Sequence, residues 1–217
     1  GDRENIGDQI QFAFKLLAFV MVPASLGMAA VAHPLYILFY NTNDATNGTL
    51  ILQFASFTAI ALGLYMVVLA IYQGLNELSF TVKVLGLILI LKLVLQVPLT
   101  IWLQGAGPLM ATVLAFAVGL IISIRRLSVL YAIDWAPFNF SLMVILFWGL
   151  VMYAVVALLT NTLTLFVPDT KMAQLVVTIV VGLVGAGIYG VAMLKTHVGE
   201  SVLGQRAATI AHKLHLK

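Results

Sequence analysis

Six long apolar runs constrain this chain more than any other feature of its sequence. They cover about residues 13–39, 50–73, 81–103, 107–124, 139–163 and 172–194. A bilayer core about 30 Å thick requires about 20 apolar residues at 1.5 Å rise per residue, so each run is long enough to cross it. No run alternates polar and apolar residues, and backbone groups in lipid must bond within their own segment. The sequence therefore predicts an all-α membrane protein with six transmembrane helices.

The composition excludes several classes of protein. Of the 217 residues, 62% are hydrophobic and only 9% are charged, whereas soluble domains carry about 25% charged residues. The net charge of +3 comes from basic residues that are spread along the chain and form no basic face. The chain lacks cysteine, so disulfides and thiolate metal sites are absent. We therefore expect neither a soluble enzyme nor a nucleic-acid partner.

Prolines and glycines mark candidate points of flexure. Pro23 lies inside the first apolar run and Pro98 inside the third. Each removes a backbone donor and is expected to kink its helix. Gly105, Gly107 and Pro108 form the turn between the third and fourth runs, with Pro108 suited to the first turn of the next helix. We expect these five residues to act as hinges.

The basic residues predict the orientation of the chain. An excess of lysine and arginine marks cytoplasmic flanks. Loops on the opposite side carry only Lys171. Nine basic residues lie in the flanks, loops and tail on the N-terminal side: Arg3, Lys15, Lys83, Arg125, Arg126, Lys195, Arg206, Lys213 and Lys217. Both ends of this multi-pass segment are therefore predicted to be cytoplasmic, which agrees with an even number of spans.

Three parts follow from this pattern. Residues 1–131 hold four predicted transmembrane helices, and residues 132–194 hold two more. Residues 195–217 mix apolar, basic and histidine side chains, which predicts a short amphipathic helix on the cytoplasmic membrane surface. A solvated, frayed tail is the alternative. His212 and His215 in this tail have no third ligand, so we expect no metal site.

Lys92 is the sharpest candidate for function. It lies eleven residues from either end of the run 81–103, about 16 Å along a helix, too far for its side chain to reach the interface easily. An ionisable group at that depth usually faces a bundle interior or a water-filled cavity. Gln96 shares its helix face. We expect both to line a polar cavity that attracts an anion such as phosphate. The alternative is a structural lysine paired with a carbonyl or acid on a helix outside this chain.

The acidic residues weigh against a cation-coupled carrier. All eight lie in loops or at chain ends: Asp2, Glu4, Asp8, Asp44, Glu77, Asp134, Asp169 and Glu200. Proton and sodium carriers usually place a carboxylate in the middle of the membrane. The chain also lacks a serine–histidine–acid set and paired intramembrane acids. We therefore expect no catalytic residues, no enzymatic activity and no cofactor.

Small residues form a stripe in the sixth run. Residues 185–190 match the dinucleotide-binding pattern G-x-G-x-x-G, but no strand precedes them, so the context for nucleotide binding is missing. Gly182, Ala186 and Gly190 are four apart and share one helix face. Such a face favours close helix packing or a groove that admits a lipid chain.

Several segments, taken in order, resemble a known family. They are 14–28 (FKLLAFVMVPASLGM), 33–40 (HPLYILFY), 70–76 (AIYQGLN), 91–99 (LKLVLQVPL) and 105–112 (GAGPLMAT). This series resembles the C-terminal part of polysaccharide-biosynthesis flippases of the MOP exporter superfamily. Within this superfamily, the series looks most like the MurJ and stage V sporulation protein B-type lipid II flippases of Gram-positive bacteria. The resemblance is good over about residues 5–130 and only topological beyond.

The resemblance implies a fold and an activity. Family members have two six-helix lobes and two additional helices, so the six spans would be the ninth to fourteenth of a 14-helix protein. Family members move an undecaprenyl-pyrophosphate-linked sugar across the bacterial cytoplasmic membrane by alternating access. Lys92 falls where the resemblance suggests a mid-membrane lysine, facing the pyrophosphate. The last two helices would form a groove for the lipid tail, including Gly182, Ala186 and Gly190.

The same resemblance implies the partners: a lipid-linked oligosaccharide substrate, membrane lipids and a missing N-terminal lobe. Two alternatives stay open at this point. A multidrug or cation antiporter of the same superfamily would share the fold. A non-transporting membrane scaffold subunit would leave Lys92 dispensable. The residues identify neither the sugar nor the energy source.

Overall fold

The computed structural model describes residues 2–40, 45–131, 133–166 and 170–203, and every regular element in these ranges is helical. They contain eight α-helices and one 3₁₀ helix, Gln104–Ala106. The α-helices are α1 (Asp2–Ala30), α2 (Ala32–Tyr40), α3 (Ala45–Gly74), α4 (Leu78–Leu103), α5 (Gly107–Tyr131), α6 (Ala136–Phe166), α7 (Lys171–Leu194) and α8 (His197–Leu203). The predicted all-α fold is confirmed.

Within the described residues, five stretches of helix are long and apolar enough to cross a membrane: Ile6–Ala30, Thr46–Gly74, Leu78–Tyr131, Ala136–Phe166 and Lys171–Leu194. The stretch Leu78–Tyr131 has 54 residues, about 80 Å of helix, more than twice the thickness of a bilayer core. The 3₁₀ turn divides it into α4 with 26 residues and α5 with 25, each long enough for one crossing. Each of the six predicted spans therefore corresponds to helix, and the first comprises the end of α1 together with α2.

Helices α4 and α5 form an antiparallel hairpin. At one end, Arg126 near the end of α5 pairs with Glu77, which precedes α4, at 3.0 Å. In the middle, Gly119 lies so close to Ile88 that a Cβ atom on the glycine would collide with the isoleucine side chain. The start of α4 therefore lies beside the end of α5, as two successive crossings require.

The chain divides into two compact units, and the division falls within α1, α3 and α6. Unit 1 comprises Gly1–Met21 and Phe57–Asn139, and unit 2 comprises Val22–Ser56 and Phe140–Lys217. Each unit therefore combines segments that are distant in the sequence. The three predicted parts, with boundaries at 131/132 and 194/195, follow the order of the spans and stay a prediction.

Unit 1 has an aromatic core. Phe14 packs edge-on against Trp135 and Phe138, with ring centroids 5.6 Å and 6.0 Å apart. Tyr72 is buried, and its hydroxyl donates a hydrogen bond to the carbonyl oxygen of Ser123 at 2.9 Å. Buried tyrosines usually find such a partner because their apolar ring and polar tip must both be satisfied. The Tyr72 hydrogen bond ties α3 to α5, and the ring contacts of Phe14 tie α1 to the first turn of α6 and the residue before it.

Unit 2 is held by close approaches at glycines. A Cβ on Gly149 of α6 would lie 2.9 Å from Leu26 of α1, and one on Gly185 of α7 would lie 2.7 Å from Val156 of α6. Small residues let helix backbones approach closely in membranes. Helix α2 also packs against α7. The last turns of α1, with α2, α6 and α7, thus form one packed group.

The prolines sit as the sequence predicted, but neither internal proline ends its helix. Pro23 lies within α1 and Pro98 within α4. Pro108 is the second residue of α5, where a missing N–H costs nothing.

The predicted amphipathic tail is described only as far as α8, and the remainder, with His212 and His215, lies outside the described residues.

The backbone at Gln104 is strained, which leads to a stability prediction. Gln104 has φ 49° and ψ −124°, the geometry of the first central residue of a type II′ turn, where glycine is preferred. Such a conformation costs a non-glycine residue of order 1–3 kcal/mol. Gln104→Gly should therefore raise the unfolding temperature measured in detergent. The control Gln73→Gly, in the helical backbone of α3, should lower it. Equal losses in both variants would contradict strain at Gln104.

Candidate functional site

Lys92 lies deep within α4. It is 14 residues after Leu78 and eleven before Leu103, so about 16 Å or more of helix separates it from each end. Its side chain is half-buried. Ile90 and Leu93 beside it are apolar and about 60% exposed. Lys92 is therefore a charged group next to a strongly apolar helix surface.

Lys92 and Gln96 continue the packed side of α4. The buried residues of this helix are Thr81, Val84 and Ile88. Lys92 follows Ile88 by four residues and Gln96 follows Lys92 by four, and both side chains are half-buried. Residues four apart lie on the same helix face. The structure thus places the ammonium and amide groups one turn apart on one side of α4.

The Lys92 ammonium makes no hydrogen bond or ion pair with any other residue in the described ranges. The described ion pair of the hairpin is instead Arg126–Glu77, near its end, where Arg126 also stacks on Phe80 at 4.1 Å. A charge in the middle of a membrane costs several kcal/mol unless water or an opposite charge stabilises it. The role of Lys92 in binding an anion stays a prediction.

A polar cavity in unit 2 was missed by the sequence analysis. Its volume is about 630 Å³, and residues from the end of α1 and from the helices α2, α3 and α6 line it. Polar side chains make up much of its wall: His33, Thr46, Thr49, Gln53, Tyr153, Thr160, Asn161 and Thr164. Helical spacing could have revealed it, because Thr46, Thr49 and Gln53 recur on one face of α3.

Hydrogen bonds order part of the cavity wall. The Nδ1 atom of His33 lies 3.3 Å from the hydroxyl of Thr49, which joins α2 to α3. The amide of Gln53 donates to the carbonyl oxygen of Ala29 at 3.4 Å. The hydroxyl of Thr164 donates to the carbonyl of Thr160 at 2.9 Å, so its oxygen keeps acceptor capacity. The wall combines donors and acceptors that a polar ligand could use.

The small-residue stripe of α7 lies on its open side. Gly182 and Ala186 are exposed, and a Cβ on Gly182 or Gly190 would meet nothing within 4 Å. The tight packing of this helix occurs instead at Gly185, against Val156. Within the described part of the chain, the stripe is thus uncovered. Its role as a groove for a lipid tail stays a prediction.

The predicted hinge residues differ in their surroundings. Pro23 is half-buried, one residue beyond the start of unit 2 at Val22. Pro98 and Gly105 are exposed. Gly107 is buried, and a Cβ there would lie 2.5 Å from the backbone of α4. The hinge role of these residues stays a prediction. Gly107 also has a separate reason to be glycine, because the backbone of α4 approaches it closely.

The long helices and the charged residue in the middle of one of them first define a class. Several helices that are long and apolar enough to cross a bilayer, with an ionisable group in the middle of one, define a multi-pass α-helical membrane protein.

Comparison with known proteins then identifies the family. The model of the lipid II flippase MurJ family matches residues 1–197, and the chain belongs to this family. The lipid II flippase MurJ of Bacillus subtilis (strain 168) is 27% identical over 218 residues, covering 95% of this chain. The chain spans 39% of the length of that relative. No solved structure matches the chain. Family and helices together indicate a multi-pass protein of the plasma membrane.

Proposed function

We propose that this chain is the part of a lipid II flippase that works with an N-terminal lobe to move an undecaprenyl-pyrophosphate-linked sugar across the cytoplasmic membrane. The observation that carries the proposal is the family match over residues 1–197. The half-buried Lys92 in the middle of α4 is in keeping with it. A flippase makes and breaks no covalent bond, so the proposal needs no catalytic residue.

The energetic problem lies in the headgroup. A pyrophosphate cannot cross hydrocarbon unaided, because an isolated buried charge is very costly. Lys92 would replace part of its hydration with a fixed cation, and Gln96 would donate an uncharged N–H beside it. The lipid tail can stay in an apolar environment throughout, along the exposed stripe of Gly182, Ala186 and Gly190 on α7. The protein therefore has to shield only the polar end of its substrate.

Transport by alternating access would follow from rocking of two lobes about the bound headgroup. The distribution of basic residues supports an orientation with both ends of the segment in the cytoplasm. In this orientation the substrate would be loaded from the cytoplasmic side. Pro23, Pro98 and the turn containing Gly105, Gly107 and Pro108 are the proposed points of flexure.

Lipid II exposure in cells tests the function. The protein that carries this chain is expressed in bacteria depleted of their own lipid II flippase. Lipid II on the outer leaflet is measured by its cleavage with an externally added enzyme. We expect the protein to restore cleavage and growth, and residues 1–217 alone to restore neither, since an N-terminal lobe is part of the proposal. A stably produced, membrane-inserted protein that leaves lipid II uncleaved would overturn the proposal and shift weight to an antiporter or scaffold.

A further inference from the structure

The cavity in unit 2 has the size of a small-molecule site. Its volume is about 630 Å³, within the range of about 300–1,000 Å³ that is typical of ligand pockets. It is formed by segments distant in the sequence, since His33 and Asn161 both line it. A space of this size would hold roughly twenty water molecules at about 30 Å³ each. It is therefore large enough for a sugar ring or a disaccharide-sized ligand.

The described residues of the cavity wall carry no fixed charge. None of those that line it is a lysine, arginine, aspartate or glutamate. It differs in this respect from the surroundings of Lys92, which lies in unit 1 and carries an ammonium group. A phosphate or carboxylate would find no permanent counter-charge among these side chains. The occupant that fits the wall is therefore uncharged.

The wall offers many neutral hydrogen-bonding groups on several helices. Gln53 presents an amide from α3, and Asn161 presents another from α6. The phenol of Tyr153 and the hydroxyl of Thr164 add groups that can accept hydrogen bonds. A sugar hydroxyl both donates and accepts, so it pairs with amides and hydroxyls alike. This wall matches a ligand that is rich in hydroxyl groups.

Apolar residues complete the wall in a way that suits a sugar. Ala29, Ala30 and Ala157 present small, flat surfaces, and Leu50 and Leu165 add aliphatic ones. The C–H face of a pyranose ring can lie against such surfaces while its hydroxyls reach the polar groups. Pockets generally combine an apolar lining with a few polar groups that fix the orientation of the ligand.

We propose that this cavity binds an uncharged, hydroxyl-rich ligand: a sugar ring, either free or carried as the headgroup of a lipid. The proposal goes beyond the flippase function, because it assigns a second site that does not include Lys92. Water alone is the competing occupant. The two sources of the sugar share the same chemistry and are separated by the test.

The test measures sugar binding by the full chain in a zwitterionic detergent that has no sugar headgroup. Glucose and N-acetylglucosamine are the free probes, observed by saturation-transfer NMR, and octyl glucoside below its micelle concentration is the lipid-like probe. We expect binding, with an affinity about fivefold weaker in Thr164→Val, the loss typical of one neutral hydrogen bond. Binding of octyl glucoside more than tenfold tighter than glucose, and also weakened by Thr164→Val, would identify a lipid headgroup. Equal binding would identify a free sugar.

The neighbouring Thr162 provides a matched control. The Thr162 hydroxyl donates to the carbonyls of Leu158 and Leu159. The Thr164 hydroxyl makes the same kind of bond, to the carbonyls of Thr160 and Asn161. Thr162, however, is not among the residues that line the cavity. Thr162→Val should therefore bind sugar like the unaltered chain. A second variant, Gln53→Met, removes a lining amide at nearly constant volume and should weaken binding similarly.

Two results would overturn the proposal. Absence of binding of all three probes to a chain with a cooperative thermal transition would mean that the cavity holds water only. Binding that is equally strong in Thr164→Val, Thr162→Val and Gln53→Met would place the sugar elsewhere. Neither result bears on the restoration of lipid II exposure by the whole protein, so failure here and failure of the proposed function are distinguishable.

Discussion

Replacing Lys92 with alanine is expected to weaken binding of the lipid pyrophosphate by about 10- to 150-fold and to abolish transport. A hydrogen bond to a charged group contributes about 1.5–3 kcal/mol, which corresponds to that range. Lys92 makes no ion pair with another described residue, so its charge is available to the ligand. The measurement is native mass spectrometry of the chain together with its proposed N-terminal lobe, purified gently, with and without Lys92→Ala. The co-purified polyprenyl-pyrophosphate sugar is quantified in both.

Lys83 is the control for this experiment because it lies on the same helix. It is exposed and only five residues from the start of α4, so its side chain can reach the interface. Lys83→Ala should keep the bound lipid. Lys92→Arg, which retains a positive charge, should keep much of it.

Thermal stability separates a binding lysine from a structural one. A binding role predicts that Lys92→Ala melts no lower than the unaltered protein, since a charge in the middle of a long apolar helix is removed. Lipid retained together with a lower unfolding temperature in Lys92→Ala would show that Lys92 is structural. That result would leave the family membership intact but remove the proposed headgroup contact.

Hydropathy predicted the helices well because the membrane imposes one dominant rule. A segment in lipid must satisfy its own backbone, so a long apolar run is almost necessarily a helix. The boundaries were less accurate where this rule does not apply. The first run began at about residue 13, whereas α1 begins at Asp2, because a helix can extend beyond the bilayer through polar residues. The single run 13–39 also proved to be two helices, with a turn at Val31.

The candidate sites also differ in how readily the sequence reveals them. Lys92 was found from the sequence because one charge in an apolar run is conspicuous. The spacing of Thr46, Thr49 and Gln53 indicates one polar face on α3, but the other helices contribute only a few uncharged polar residues each, and tertiary packing brings these to that face. His33 and Thr49 are 16 residues apart and in hydrogen-bond distance, and no local pattern indicates their contact.

Glycines illustrate the remaining limit of sequence reasoning. The stripe of Gly182, Ala186 and Gly190 suggested either close packing or an open groove, and the sequence could not distinguish them. In the structure the packed glycine is Gly185, one position outside the stripe. A glycine's environment depends on which neighbouring helix faces it, and that is a property of the fold.

Gly107→Ala is expected to destabilise the α4–α5 hairpin by about 3 kcal/mol, the upper part of the usual range for overpacking. An alanine Cβ there would lie 2.5 Å from the backbone carbon of Leu99 and the Cα atom of Thr100. These are backbone atoms, so no side-chain rotation relieves the contact, and α4 and α5 must move apart. The measurement is thermal or denaturant unfolding of the chain in detergent.

Gly86 in the same hairpin provides the opposite expectation. A Cβ there would meet nothing within 4 Å, and alanine is favoured over glycine in a helix by about 1 kcal/mol. Gly86→Ala should therefore stabilise the chain, while Gly107→Ala destabilises it. Equal stability of Gly107→Ala and the unaltered chain would show that the end of α4 yields at little cost. In that case, reduced transport by a stable Gly107→Ala protein would support the predicted hinge rather than a packing constraint.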